Sequence, residues 1–175
     1  VSLVVLSAST IDFSHPRLMP ESGLGSGVHS LGLSKRLPAG SQLLLFEFDP
    51  YFSRDLERQF ADDPRVHVIN CDAAQLPQEL QRRGIPHCDY IVSGIPFSIL
   101  EPVKKRALLQ KTHDAVMPGG SFIIYQVTNE LRQHATQFDR ADSEYFLQNI
   151  PPMFITVFHK PNSRNGHAPP GAVPA

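Results

Sequence analysis

Short, nearly unbroken apolar runs alternate along this chain with longer stretches whose apolar residues recur at helical spacing. Gln42–Glu47 (QLLLFE), Arg65–Asn70 (RVHVIN), Asp89–Ser93 (DYIVS) and Ser121–Val127 (SFIIYQV) predict strands. Between them, Tyr51–Phe60 puts Leu56 and Phe60 on one helical face, Leu76–Arg83 predicts a short helix and Pro102–Val116 a longer one. Runs that are apolar at consecutive positions suit strands buried on both faces. The order of elements therefore predicts an α/β fold, a parallel sheet with helices on either side. Met117-Pro-Gly-Gly120 predicts a turn before the last of these strands.

The rhythm breaks at both ends. Tyr145–Leu147 and Met153–His159 flank Asn149-Ile-Pro-Pro152, which suits a hairpin better than a crossover helix. From Pro161 to Ala175, Pro, Gly, Asn and Ala predominate with little to bury, and a disordered tail is expected. Ahead of Glu21, the segment His15-Pro-Arg-Leu-Met-Pro20 is poor in apolar residues, and Pro20 has no N–H for a central strand. Val1–Leu6 is the better strand candidate but lies too far upstream to lead directly into Glu21. The chain is accordingly divided into an atypical N-terminal segment (1–20), one domain (21–160) and the tail (161–175).

Composition adds bounds rather than direction. The 175 residues fit one domain, and 41% hydrophobic with 19% charged residues is ordinary for a globular protein. A formal net charge of −1 gives no global pull toward nucleic acid or anionic lipid. Cys71 and Cys88 are too few for a disulfide framework and are expected to be reduced. No stretch approaches the ~20 apolar residues of a membrane-spanning helix, and Val1–Ser9 lacks the basic opening of a signal peptide. A cytoplasmic protein is expected, with any membrane contact peripheral, on the inner face.

The chemistry begins at Glu21-Ser-Gly-Leu-Gly-Ser-Gly27, followed by a plausible helix over Val28–Arg36. Glycines there let the backbone turn tightly and approach a ligand with no Cβ in the way. Twenty residues past Gly27, at the end of QLLLFE, stands Glu47, where a carboxylate can accept hydrogen bonds from both hydroxyls of a ribose. A dinucleotide fingerprint would place the third glycine three positions after the second; here it follows after two, and the leading acid Glu21 is foreign to that pattern. A nicotinamide oxidoreductase is thereby disfavoured.

Asp72, just past RVHVIN, lies at the edge where open α/β sheets bind ligands. It can accept from an adenine amino group, or merely cap the segment beginning at Ala73. Ser93-Gly-Ile-Pro-Phe97 ends the next strand on the same edge. A rigid turn with exposed carbonyls and an aromatic face suits methylation of an amine, to which Phe97 would add a cation–π contact of ~0.5–2 kcal/mol; a core aromatic after a tight turn is the plainer alternative. Tyr125 and Gln126 are candidates for shaping the acceptor pocket. His29, His67, His87 and His113 show no metal-ligand spacing, so no metal is expected and capping or solvated roles are assigned to them. No hydrolase-type nucleophile and base stand out.

With these segments in hand, residues 21 to about 160 resemble the class I S-adenosylmethionine-dependent methyltransferases. Within them the chain is most similar to the bacterial phospholipid N-methyltransferases, which act on phosphatidylethanolamine. The resemblance is carried by ESGLGSG, LPAGSQLLLFEFDP, DPRVHVINCDAAQL, DYIVSGIPFS, MPGGSFIIYQ and NIPPMF, in that order. It implies a Rossmann-like, seven-stranded, mostly parallel sheet with an antiparallel final strand, and S-adenosyl-L-methionine as cofactor. It assigns cofactor binding to Glu21, Gly23, Gly25, Gly27, Glu47 and Asp72, and the acceptor site to Ser93, Gly94, Pro96 and Phe97. The substrate would be a small-molecule or lipid amine.

Two alternatives stay open. The related rRNA adenine dimethyltransferases carry an Asn-Leu/Ile-Pro-Tyr/Phe acceptor motif whose Asn accepts from the adenine amino group; here Gly94 stands in its place, and no overall basic charge favours RNA. A catalytically impaired cofactor-binding remnant is the other, because the residues before Glu21 match neither the family's supporting strand, nor its lid helices, nor its amphipathic membrane-binding helix.

Overall fold

The four apolar runs form strands, and three further strands join them in one sheet. The computed structural model describes residues 11–15, 17–147 and 151–162. In chain order the strands are β1 (Leu18–Ser22), β2 (Gln42–Glu47), β3 (Val66–Asn70), β4 (Cys88–Ser93), β5 (Val116–Gln126), β6 (Arg140–Phe146) and β7 (Met153–His159). The helices are α1 (Val28–Ser34), α2 (Pro50–Gln59), α3 (Leu76–Arg82) and α4 (Pro102–Ala115). In space the strands run β3-β2-β1-β4-β5-β7-β6. β1 to β5 are parallel, and β7 is antiparallel to both its neighbours. This is the seven-stranded, mostly parallel Rossmann-like sheet the sequence implied.

Burial on two faces explains the unbroken apolar runs. Leu43 and Leu45 join Met19, Val92 and Ile123 on one side, under Leu33 of α1 and Leu56 of α2. Leu44 and Phe46 turn the other way, joining Ile91, Phe122 and Ile124 beneath Leu80 of α3 and Leu109 of α4. Each such side chain contributes about 1.5–3 kcal/mol by leaving water. α2 starts where Asp49 caps it, accepting from the Tyr51 and Phe52 amides at 2.7 and 3.4 Å, with Pro50 in the first turn. Cys88 lies inside one core, where burial pushes its thiol up to about 12. Alkylation at pH 8 is therefore expected to reach Cys88 only after unfolding; rapid native labelling, read by mass spectrometry, would contradict this placement.

The structure corrects two expectations. A strand does lead straight into the glycine loop: β1 contains Pro20 and pairs with β2 from Leu18↔Gln42 to Ser22↔Phe46. The proline is tolerated because of where its missing N–H falls. The Leu18 N–H donates to Asp89 Oδ2 on the β4 side, and the Gly94 N–H donates to the Ser22 carbonyl from that same side. Alternation along the strand then turns Pro20 toward β4 as well. On that side the register comprises only Glu21↔Val92 and Ser22↔Ser93. Met117-Pro-Gly-Gly120, read as a turn before a strand, instead lies within β5 as a wide irregularity. Cys88 faces Val116 and Tyr90 faces Ser121, so the extra residues loop out of the ladder. The loop is held from the far side, where the Gly119 N–H donates to the Lys160 carbonyl at 3.1 Å and the Lys160 N–H to the Gly120 carbonyl at 3.0 Å. The antiparallel β6–β7 pair agrees with the hairpin expected there. Val1–Leu6, most of the expected tail and part of the Asn149–Pro152 turn lie outside the described residues.

Candidate active site

The parallel strands all end along one edge, and the order of the sheet reverses between β1 and β4. Connections from these two neighbours leave in opposite directions, which opens a crevice at the switch point. The loop after β1 carries the glycines. Gly23 has φ 72°, and a Cβ there would lie 2.6 Å from the Ile95 nitrogen and 2.7 Å from the Gly94 carbonyl carbon. The loops after β1 and β4 thus meet backbone against backbone. Gly25 is exposed, with open space where its Cβ would be, and Gly27 closes the loop as the residue before α1.

Glu21, near the end of β1, is fully buried. Its Oε1 lies 2.7 Å from Nδ1 of the buried His29, while Oε2 has no hydrogen-bond partner among the described residues. A buried carboxylate oxygen left in this state is costly and calls for a donor from outside the chain. His29 was read from sequence as a capping or solvated residue. It is instead the side chain that orients Glu21, brought to it across the loop by the first turn of α1. Its ring also lies 4.7 Å from that of Tyr125, whose hydroxyl donates to the Gly23 carbonyl at 3.3 Å. Burial and the Glu21 carboxylate push the Tyr125 phenol up, so it stays a neutral donor.

A cleft of about 200 Å³ follows, lined by Gly23, Phe46, Glu47, Phe48, Asp72, Ala73 and Ile95. Glu47 accepts the Asp49 amide through Oε1 at 2.9 Å. Asp72 accepts the Ala74 amide through Oδ1 at 2.8 Å and so does cap the turn over Ala73–Gln75. Each carboxylate keeps its second oxygen without a partner among the described residues.

The acceptor-motif residues divide. Ser93 is buried, its Oγ accepting from Ser22 Oγ at 3.1 Å and from the Ile95 amide at 3.3 Å. Pro96 stays exposed on the turn, while Gly94 is half-buried against Tyr125. Phe97 does not: only 1% exposed, its ring packs edge-on against Phe122 at 6.1 Å, in the core rather than facing a substrate. The turn is fixed from behind by Gln126, whose Nε2 donates to the Ile95 carbonyl at 2.6 Å.

S-adenosylmethionine suits this cleft on two counts. Behind the cleft, the buried Oε2 of Glu21, without a partner among the described residues, matches an ammonium, and a cleft wall holding Glu47 and Asp72 without a Lys or Arg suits a cationic sulfonium while repelling a pyrophosphate. Glu21 would hold the amino-acid end, Glu47 the ribose hydroxyls and Asp72 the adenine amino group.

Comparisons with known proteins agree. No protein-family model matches the chain. An ornithine lipid N-methyltransferase of Singulisphaera acidiphila is 29% identical over 146 residues, which is 81% of this chain and 75% of that protein. A ribosomal RNA small subunit methyltransferase A from a Synechococcus species is 32% identical over 94 residues, covering 53% of this chain but only 30% of that protein. Among solved structures, the N-methyltransferase NodS from Bradyrhizobium japonicum superposes with a TM-score of 0.71 at 12% identity, covering 91% of this chain and 93% of that one. Sheet order, glycine loop and these likenesses point one way: the chain has the Rossmann-like fold of the class I S-adenosylmethionine-dependent methyltransferases and resembles such enzymes in sequence.

Proposed function

We propose that the protein transfers a methyl group from S-adenosylmethionine to an amine, and that this amine belongs to the headgroup of a membrane lipid. The observation that carries the choice is at Gly94. A Cβ there would lie 2.5 Å from the ring and hydroxyl of Tyr125. The space that an RNA-type asparagine would need is filled by a phenol. The ornithine lipid methyltransferase, which matches most of this chain, supports the same choice. Ornithine lipids and phosphatidylethanolamine both present an amine on a lipid, the group this site would methylate.

The cofactor supplies an electrophilic methyl, so the chain need provide no covalent nucleophile. Its part is to hold and to exclude. Glu21, steadied by His29, would hold the amino-acid end of the cofactor, Glu47 its ribose and Asp72 its adenine. Ser93, Gly94 and Pro96 border the acceptor side, with Phe97 anchoring their turn in the core. The incoming amine must arrive neutral with its lone pair free, and the proton it loses after transfer passes to solvent.

Incubation with labelled S-adenosylmethionine and either amino-lipid micelles or undermodified ribosomal RNA tests the reading. Label is expected in the lipid amine; label confined to RNA would overturn it. Gly94→Asn is expected to lower stability by about 1–3 kcal/mol through overpacking against Tyr125. Adding Tyr125→Ala should recover much of that loss. A double variant no more stable than Gly94→Asn alone would disprove the steric link.

A further inference from the structure

Among the described residues, every exposed large apolar side chain except Met117 lies at the edge where β1, β2, β4, β5 and β6 end. Phe48 (75% exposed) follows β2, and Tyr51 and Phe52 stand in the first turn of α2. Ile99 (77%) follows β4, Val103 opens α4, and Leu147 (74%) follows β6. Exposed apolar residues scattered singly need no explanation, but a group gathered along one edge marks an interaction surface. From β2 to β6 the spacing of strands spreads this group over roughly 24 Å.

We infer that this edge docks on the surface of a lipid bilayer, with the cleft facing the membrane; the inference rests on the lipid-amine reading above. The surface suits a bilayer for three reasons. Its apolar residues sit on separate loops across the sheet edge, a spread that a broad lipid surface can meet at once. They surround the cleft lined by Phe48, Glu47 and Asp72, so docking delivers a headgroup amine where the reaction needs it. Cations accompany them: the Arg54 guanidinium lies 5.8 Å over the exposed Tyr51 ring, and exposed Lys104 follows Val103. An aromatic body with a cationic tip suits the polar–apolar boundary of a membrane, and apolar contact rather than charge holds this edge there, because Glu47, Asp49, Asp72 and Glu101 stand beside the two cations. No helix among the described residues is long and apolar enough to cross a membrane, so contact here is at the surface.

Co-sedimentation of the full chain with vesicles of phosphatidylcholine and phosphatidylglycerol tests this without any methyl acceptor present. Binding is expected, and Ile99→Ser/Val103→Ser should weaken it about tenfold or more, since each side chain withdrawn from lipid costs a large factor in partitioning. S-adenosylhomocysteine binding and thermal stability should be unchanged in that variant. Absence of vesicle binding, or binding undiminished by the double substitution, would overturn the inference. So would a change in self-association alone, which would make the edge an interface between copies. Methylation of an amino lipid in detergent micelles is measured in parallel. If it persists while vesicle binding fails, only the docking surface is lost; if it fails while vesicle binding holds, the lipid-amine reading falls instead.

Discussion

Gly23→Ala is expected to lower the melting temperature by about 4–20 °C and to reduce S-adenosylhomocysteine affinity at least about a hundredfold. Two costs combine. A side chain at φ 72° costs about 1–2 kcal/mol. The added Cβ also meets the Ile95 nitrogen and the Gly94 carbonyl carbon, and backbone cannot swing aside as a side chain can. Overpacking of that kind adds about 1–3 kcal/mol, and each kcal/mol is worth about 2–4 °C in a domain of this size. To relieve the clash the glycine loop must part from the acceptor turn, which moves both halves of the site. Gly25→Ala is the control. Its φ of 53° carries similar backbone strain, but its Cβ meets nothing within 4 Å. It should lose only about 2–8 °C, less than half the loss at Gly23. Equal melting temperatures for the two variants would show that contact between the loops is unimportant.

Glu47→Ala should abolish measurable cofactor binding while leaving the fold nearly intact. A carboxylate accepting two hydroxyls gains about 1.5–3 kcal/mol from each charge-assisted bond, so the expected loss in affinity is about a hundredfold or more. Within the protein Glu47 gives up only its bond from the Asp49 amide, itself charge-assisted and worth about 1.5–3 kcal/mol. Calorimetric titration with S-adenosylhomocysteine reads the first effect and thermal unfolding the second. Unchanged affinity would remove Glu47 from the cofactor site. A wild-type chain that binds no S-adenosylhomocysteine would go further, favouring a remnant over an enzyme.

Much of this was legible in the sequence because burial leaves a simple trace. Gln42–Glu47 reads as a strand since both its faces enter a core, and Tyr51–Phe60 reads as a helix because Leu56 and Phe60 recur on one buried face. β1 was hidden for the opposite reason. Whether Pro20 breaks a strand depends on which neighbour its nitrogen faces, and that is fixed by residues some seventy positions downstream. Met117–Gly120 misled in a similar way, because a turn signal cannot distinguish the end of a strand from a loop bulging out of one. At the site, the glycine spacing and the strand-end carboxylates announced themselves. His29 did not, since its pairing with Glu21 exists only once the loop has closed. Phe97 shows the limit most clearly: a turn's sequence does not say which of its side chains faces inward, and here the aromatic one anchors the motif from the core.

Pro20 has a consequence for how the sheet comes apart. It removes a rung on the side of β1 that faces β4, at the middle of the sheet, and nearby a side-chain carboxylate from Asp89 stands in for backbone. The molecule therefore carries a seam, with β3-β2-β1 on one side and β4-β5-β7-β6 on the other. Amide protons bridging that seam should exchange with solvent sooner than those between β4 and β5, although both lie at the centre of the protein. The cleft sits at the top of the same line, so a ligand touching Glu47 on one bank and Ile95 on the other would act as a clasp, slowing exchange along the whole join.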